Sequence, residues 1–158
     1  MVYNMQKLIL ILISLNLFGC EVDFSTKIKT QKNNKIVIST DKAPAAVGPY
    51  SQGILIDKTL YLAGQIALDP STRKIVDGGI KEQTERVMDN LGAVLNEAGY
   101  DFGDVVQSQV FISDMKNYRA MNEVYTKYFN EAPPARAAVE TVLFPGALIE
   151  IMMTAQKP

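Results

Sequence analysis

Hydrophobic and polar residues change rhythm several times along this chain, and each change marks an element. From Ile80 to Ala98 the apolar residues Ile80, Val87, Met88, Leu91, Val94, Leu95 and Ala98 recur at i, i+3, i+4 spacing, one face of an amphipathic helix that Gly99 stops. Tyr118, Met121, Tyr125, Tyr128 and Phe129 repeat at helical spacing and predict a second helix, ended by Pro133-Pro134. Between the two, Val106, Ser108, Val110 and Ile112 alternate with period two and predict a strand over Val105–Ile112. Three strands are predicted ahead of the first helix, at Ile36–Ser39, Gln52–Ile56 and Leu60–Ala63, the last two joined by a hairpin turn at Asp57-Lys58. Two more follow the second helix, at Arg136–Leu143 and Ala147–Ala155, on either side of Pro145-Gly146.

The resulting order, β-β-β-α-β-α-β-β, predicts an α+β fold: a single mixed β-sheet with two helices on one face. Two helices cover one sheet face only. The other face is most simply buried against further copies of the chain, so a closed homo-oligomer is expected.

Ahead of the domain, residues 8–18 form an apolar run after Lys7, too short for the roughly 20 residues that span a bilayer as a helix but suited to a signal peptide. Leu17-Phe18-Gly19-Cys20 resembles a lipobox, in which the cysteine becomes the lipid-bearing first residue of the mature protein. The reading is a lipoprotein signal peptide over 1–19, a polar tether over 20–35 and one domain over 36–158, anchored to a bacterial membrane through lipidated Cys20 and extracytoplasmic. An unprocessed leader would leave the protein cytoplasmic.

Composition narrows the chemistry. The net charge of −1, with 16 basic and 17 acidic residues interspersed, gives no basic face for nucleic acid. The chain has no histidine, which excludes a histidine triad, a histidine proton shuttle and an imidazole zinc site. Cys20 is the single cysteine, so no disulfide, CxxC metal site or thiol nucleophile in the domain is expected. Carboxylate, guanidinium, hydroxyl and backbone groups remain.

Four places stand out. Glu150 sits in Ala-Leu-Ile-Glu-Ile-Met-Met, where a carboxylate is costly unless it is paired, at an edge or open to a cleft. In a cleft it is a general acid or base, or positions water. Arg136 opens the run Ala137-Ala138-Val139 and can either fork onto a carboxylate ligand or pair with an acid such as Glu140 or Glu150. Ala43-Pro44-Ala45-Ala46-Val47-Gly48-Pro49-Tyr50-Ser51-Gln52 is a stiff loop that places Tyr50, as a pocket wall, a hydroxyl donor or a core aromatic. Ala63-Gly64-Gln65 ends a strand with a residue lacking Cβ, which admits a ligand or a second backbone, or simply marks a turn or bulge.

These segments, with Pro134-Ala135-Arg136 and Gly146-Ala147-Leu148-Ile149-Glu150-Ile151, resemble in order and spacing the Rid (YjgF) family from about Ile36 to Ala155. The resemblance implies a chorismate-mutase-like fold, a homotrimer with clefts between subunits, and cofactor-free hydrolysis of reactive 2-imino acids and their enamine tautomers to 2-keto acids and ammonia. It implies that Arg136 grips the substrate carboxylate and that Glu150 activates the water or protonates the departing nitrogen. Tyr50, Gly64 and Asn122 would line the cleft, and the Ala138 carbonyl would help hold the water. The chain departs from the family pattern at Ala63 and Ala138, where hydroxyl and thiol side chains are common, and between Glu140 and Glu150, where it is one residue shorter and carries Leu143-Phe144. A binding or sensing module for small carboxylates is the main rival function, and a ribonuclease the weaker one.

One geometric expectation follows. If the last two strands pair as a hairpin about Pro145-Gly146, Glu150 faces residues 139–140 and Arg136 lies roughly 10–13 Å further along. A single small substrate would then need both side chains from different subunits.

Overall fold

The computed structural model describes residues 34–129 and 132–158. The leader, Cys20 and the tether up to Asn33 lie outside the described residues. The period-two segments form strands β1 (Lys35–Ile38), β2 (Gly53–Ile56), β3 (Thr59–Ile66), β4 (Val105–Ile112), β5 (Ala135–Glu140) and β6 (Ile149–Gln156). The helical rhythms form α1 (Ile80–Glu97) and α2 (Tyr118–Tyr125). The element order and the α+β class are those expected from the sequence.

One sheet runs in the order β1-β2-β3-β6-β4-β5. β1, β2 and β3 are an antiparallel meander, with Asp57 at φ 52° in the turn to β3, a conformation that the short polar side chain tolerates. β6 is inserted antiparallel between β3 and β4, and β5 lies parallel to β4 at the edge. The expected hairpin of the last two strands therefore does not form. The residues explain why. β6 buries Ile149, Ile151, Met153 and Ala155 on one face, apolar content that suits a central strand paired on both sides. β5, Ala-Arg-Ala-Ala-Val-Glu, is half-buried at best and carries two charges, as edge strands do.

α1 lays Val87, Met88, Leu91, Val94 and Leu95 onto the sheet against Leu60, Leu62, Ile149, Ile151 and Met153, and all are buried. Glu82 starts the helix by accepting from the Gly79 N–H at 2.8 Å. α2 is shorter than its apolar rhythm. Thr126–Tyr128 tighten into a 3-10 turn, which swings Tyr128 and Phe129 edge-on to Phe102 at centroid distances of 5.1 and 5.6 Å.

The sheet face away from the helices carries Tyr61, Phe111, Val139 and Met152, all half-buried or exposed. β3 does not end at Ala63 but continues to Ile66 through a β-bulge between Leu62 and Gln65. The extra residue keeps Leu60, Leu62 and Gln65 on the covered face and turns Gly64 to the open one.

Leu91→Ala should cost about 2–5 kcal/mol by urea unfolding, because a fully buried side chain leaves a cavity. Val142→Ala, at a position 96% exposed, should change stability by less than about 0.5 kcal/mol.

Candidate active site

Alternation along β6 decides where Glu150 goes. With Ile149 and Ile151 committed to the core, the carboxylate between them must leave the sheet on the open face. There it meets a cavity of about 400 Å³ whose lining includes Pro44, Val47, Tyr50, Gly64, Phe144 and Glu150 itself. Among the described residues Glu150 makes no salt bridge, so the expected alternative of a structural ion pair with Arg136 does not hold. Gly64 makes room for it: a Cβ at this position would stand 2.0 Å from Glu150 Oε1. The missing side chain is thus required by the carboxylate that folds across the bulge.

Three buried carboxamides hold the rim of this cavity. Gln52 Oε1 accepts from the Thr40 N–H at 2.7 Å, while Nε2 donates to the carbonyls of Thr40 at 3.0 Å, Ala43 at 3.2 Å and Pro44 at 2.8 Å. The loop that carries Tyr50 is pinned at its start. Gln83 of α1 donates to the Gly146 carbonyl at 3.0 Å and accepts from the Leu148 N–H at 2.8 Å, fixing the chain just before Glu150. Asn90, two turns along the same helix face, donates to the Ile66 carbonyl at 3.3 Å and the Leu68 carbonyl at 2.9 Å, where β3 leaves the cavity wall. A signal for two of them was present: Gln83 and Asn90 fall within the apolar stripe of α1, at i+3 and i+4 steps between Ile80, Val87 and Val94.

Tyr50 itself is half exposed, its hydroxyl accepting from the Val47 N–H at 3.4 Å. It lines the cavity rather than the core.

Arg136 lies elsewhere. β5 pairs Ser108 with Arg136 and Val110 with Ala138, and because Ser108 and Val110 are buried under the helices, Arg136 and Ala138 share that face. The guanidinium rests on α2, with Cζ 4.6 Å from the Tyr125 ring centroid and 5.7 Å from that of Tyr118, and Nη2 donates to the Tyr118 hydroxyl at 3.0 Å. The polar Asn122 side chain beside it and then the Arg136 charge pull the pKa of that phenol below its ordinary value. Burial pushes the Tyr125 phenol the other way. Ser108, 1% exposed, lies near Tyr125, 4% exposed, and partly offsets that rise, yet neither hydroxyl reaches hydrogen-bond geometry with any partner among the described residues. This aromatic cradle went unread in the sequence, where Tyr118 and Tyr125 counted only as an apolar face.

The sequence-predicted residues thus form two groups within one chain. Tyr50, Gly64 and Glu150 surround the cavity, whereas Arg136, Asn122 and Ala138 gather with α2 on the other side of the sheet. Glu150 pairs with Phe111, which pairs with Val139, so two strand spacings and three residues separate Glu150 from Arg136, about 14 Å between backbones. The separation expected from the sequence is present, through an intervening strand rather than a hairpin.

Gln83→Leu should lower stability by about 1–3 kcal/mol, since the Gly146 carbonyl and Leu148 N–H lose their partner, and should speed amide exchange at Leu148. Tyr125→Phe should leave stability unchanged or raise it, because the hydroxyl it removes has no partner, while Tyr125→Ala should cost about 3–5 kcal/mol in the same unfolding assay.

Comparison with known proteins agrees with this architecture. The family described as endoribonuclease L-PSP matches residues 40–157. A RutC family protein of Saccharolobus solfataricus is 50% identical over 124 residues, covering 78% of this chain and 98% of the relative. The human 2-iminobutanoate/2-iminopropanoate deaminase is 46% identical over 116 residues, 73% of this chain and 85% of that protein. Among solved structures, a putative endoribonuclease of Thermotoga maritima superimposes with a TM-score of 0.76 at 42% identity, covering 78% of this chain and 98% of that one. E. coli TdcF with bound serine gives 0.74 at 32% identity, covering 78% and 100%. The ordered motifs, the sheet order and these likenesses agree, and the chain belongs to the Rid (YjgF) family, also described as endoribonuclease L-PSP.

Proposed function

We propose that this protein hydrolyses 2-imino acids and their enamine tautomers to 2-keto acids and ammonia, in clefts built from two copies of the chain within a homotrimer. The observation that carries the reading is the Glu150 carboxylate, without a cationic partner among the described residues, facing a cavity that Gly64 keeps open. An imino acid is already electrophilic at C2, so the protein has little to do beyond holding the carboxylate and orienting a water. Glu150 takes a proton from the water as its oxygen bonds to C2. Glu150 returns that proton to the nitrogen, then takes the hydroxyl proton of the tetrahedral adduct and passes it to the same nitrogen; as the oxygen closes to the C2 carbonyl, the C–N bond breaks and its electron pair leaves with nitrogen as ammonia. Arg136 supplies the carboxylate grip, its plane set by the two tyrosine rings beneath it. Relatives named as deaminases support the substrate class, and the serine bound to TdcF supports a site suited to a small carboxylate.

The ribonuclease reading has less behind it. A net charge of −1, no histidine and, among the described residues, one carboxylate as the charged group of the cavity suit a small iminium better than a polyanion.

Two copies are required because Arg136 and Glu150 leave the sheet on opposite faces. A second copy presenting its Arg136 to the Glu150 cavity completes the cleft and covers the apolar open face in the same contact. The membrane anchor through Cys20 remains part of the proposal on sequence grounds. Globomycin should shift the protein's gel mobility, and Cys20→Ala should abolish that shift; a mobility indifferent to globomycin in the wild type would rule the anchor out.

The enzymatic test generates an imine with an amino-acid oxidase, traps it with semicarbazide, and compares keto-acid formation. Wild type should compete with the trap, and Arg136→Ala and Glu150→Gln should each lose at least about 100-fold. When the two variants are unfolded together and refolded at equal amounts, random reassortment restores an intact Arg136 facing an intact Glu150 at about one interface in four, so about a quarter of the wild-type rate should return. No recovery would sink the two-copy cleft; a wild type no faster than buffer would sink the enzyme.

A further inference from the structure

We infer that the cavity beside Glu150 receives the side chain of the imino acid itself and selects apolar side chains of leucine or phenylalanine size, with Phe144 as a specificity-determining residue. The inference rests on the deaminase reading above.

C2 of an imino acid is planar and carries three groups. The nitrogen stays near the water that Glu150 orients, and the carboxylate turns to an Arg136 that only a second copy can bring. In the inferred pose the remaining substituent lies against the chain that owns Glu150. What it meets there is carbon: Val47, Ala63, Ile66, Leu68 and Phe144 wall the cavity, and Glu150 is its only charged group among the described residues. Gln65, also in the wall, is buried on the other side of the bulge, where its side chain joins the covered face. A volume of about 400 Å³ exceeds what a methyl or ethyl group fills. A side chain carrying its own carboxylate would be set against Glu150 with no cation to balance it.

Phe144 is the outlying member of this wall. At 65% exposure it is a large aromatic left open on the loop between β5 and β6, with no burial in its own chain to explain it. Its place is nonetheless defined, because Ala147 N–H donates to the Phe144 carbonyl at 2.9 Å and Gln83 pins the next turn of chain. An aromatic ring held over an apolar cavity is suited to close on an apolar substrate side chain, and hydrophobic pockets discriminate between side chains differing by a methylene or more by roughly 10- to 200-fold.

The test uses the full chain and imines made in place by amino-acid oxidases, with catalase present, from leucine, phenylalanine, alanine and glutamate, each rate being compared with that in buffer. The expected order in kcat/KM is leucine and phenylalanine above alanine by roughly tenfold or more, with glutamate lowest. Phe144→Ser should lower the leucine-to-alanine ratio severalfold, and an unchanged unfolding midpoint distinguishes this from loss of folding. A wild type that takes the alanine-derived imine as well as the leucine-derived one, or a ratio unmoved by Phe144→Ser, overturns this inference and leaves the deaminase standing. That is also the result if a second copy, not substrate, fills the cavity. No hydrolysis of any imine above buffer overturns both.

Discussion

The alternation of β6 is the constraint on which the rest depends. Ile149, Ile151, Met153 and Ala155 are all buried beneath α1, and together they contribute several kcal/mol of apolar burial, far more than the preference of any one charged residue can offset. Glu150 therefore has no choice of face. It must cross to the uncovered side, and the bulge in β3 turns Gly64 to the same side directly opposite it. A regular β3 would place a covered-face residue there, and any Cβ at Gly64 would occupy the space that the carboxylate uses. The candidate catalytic group is thus a by-product of core packing combined with one inserted residue.

Rigidity around that group comes from buried amides. Gln52, Gln83 and Asn90 are buried almost completely, and each spends its amide on backbone groups of a different loop. Loops of this kind otherwise hold their backbone polar groups to water and move with it. A buried carboxamide replaces that water with fixed geometry, and removal of one partner leaves the other desolvated, which is why these contacts are expensive to break. Two of the three project from α1, so the helix that closes the core also sets the positions of the cavity wall. Arg136 is held on a different principle. Its plane is fixed by aromatic rings and one hydroxyl, which among the described residues take up one of its five donors.

The fold class and the element order were legible because periodicity reports burial directly: α1 and β4 are recovered almost residue for residue from their apolar rhythm. Pairing was not legible. Pro145-Gly146 reads locally as a hairpin turn, but the sheet position of β5 and β6 is settled by how much apolar surface each must bury, a comparison among strands and not a property of the turn. Glu150, Arg136, Tyr50 and Gly64 could be picked out as anomalies, since each breaks a local rule of burial or chain stiffness. Tyr118, Tyr125 and Gln52 break no such rule, whereas Gln83 and Asn90 interrupt the apolar stripe of α1. Aromatics at helical spacing look like core, and an amide within an apolar stripe marks burial without naming the loop it holds, so these roles emerge only from three-dimensional contacts.

Assembly and chemistry are coupled in the proposed enzyme by the same alternation. Glu150, Met152, Phe111, Tyr61 and Val139 all belong to the open face, so the surface that most needs cover is also the one that presents the carboxylate. Whatever covers that face is brought beside Glu150. In the proposed trimer a second copy does so through a heterologous contact that closes into a ring, and its β5, the outermost strand of the sheet, carries Arg136. An isolated chain would keep its core, since the buried cluster lies wholly on the helix side, but it would have only half a cleft at each of two places. Folding and activity therefore need not fail together: the core fixes Glu150 within one chain, and the substrate's carboxylate waits for another.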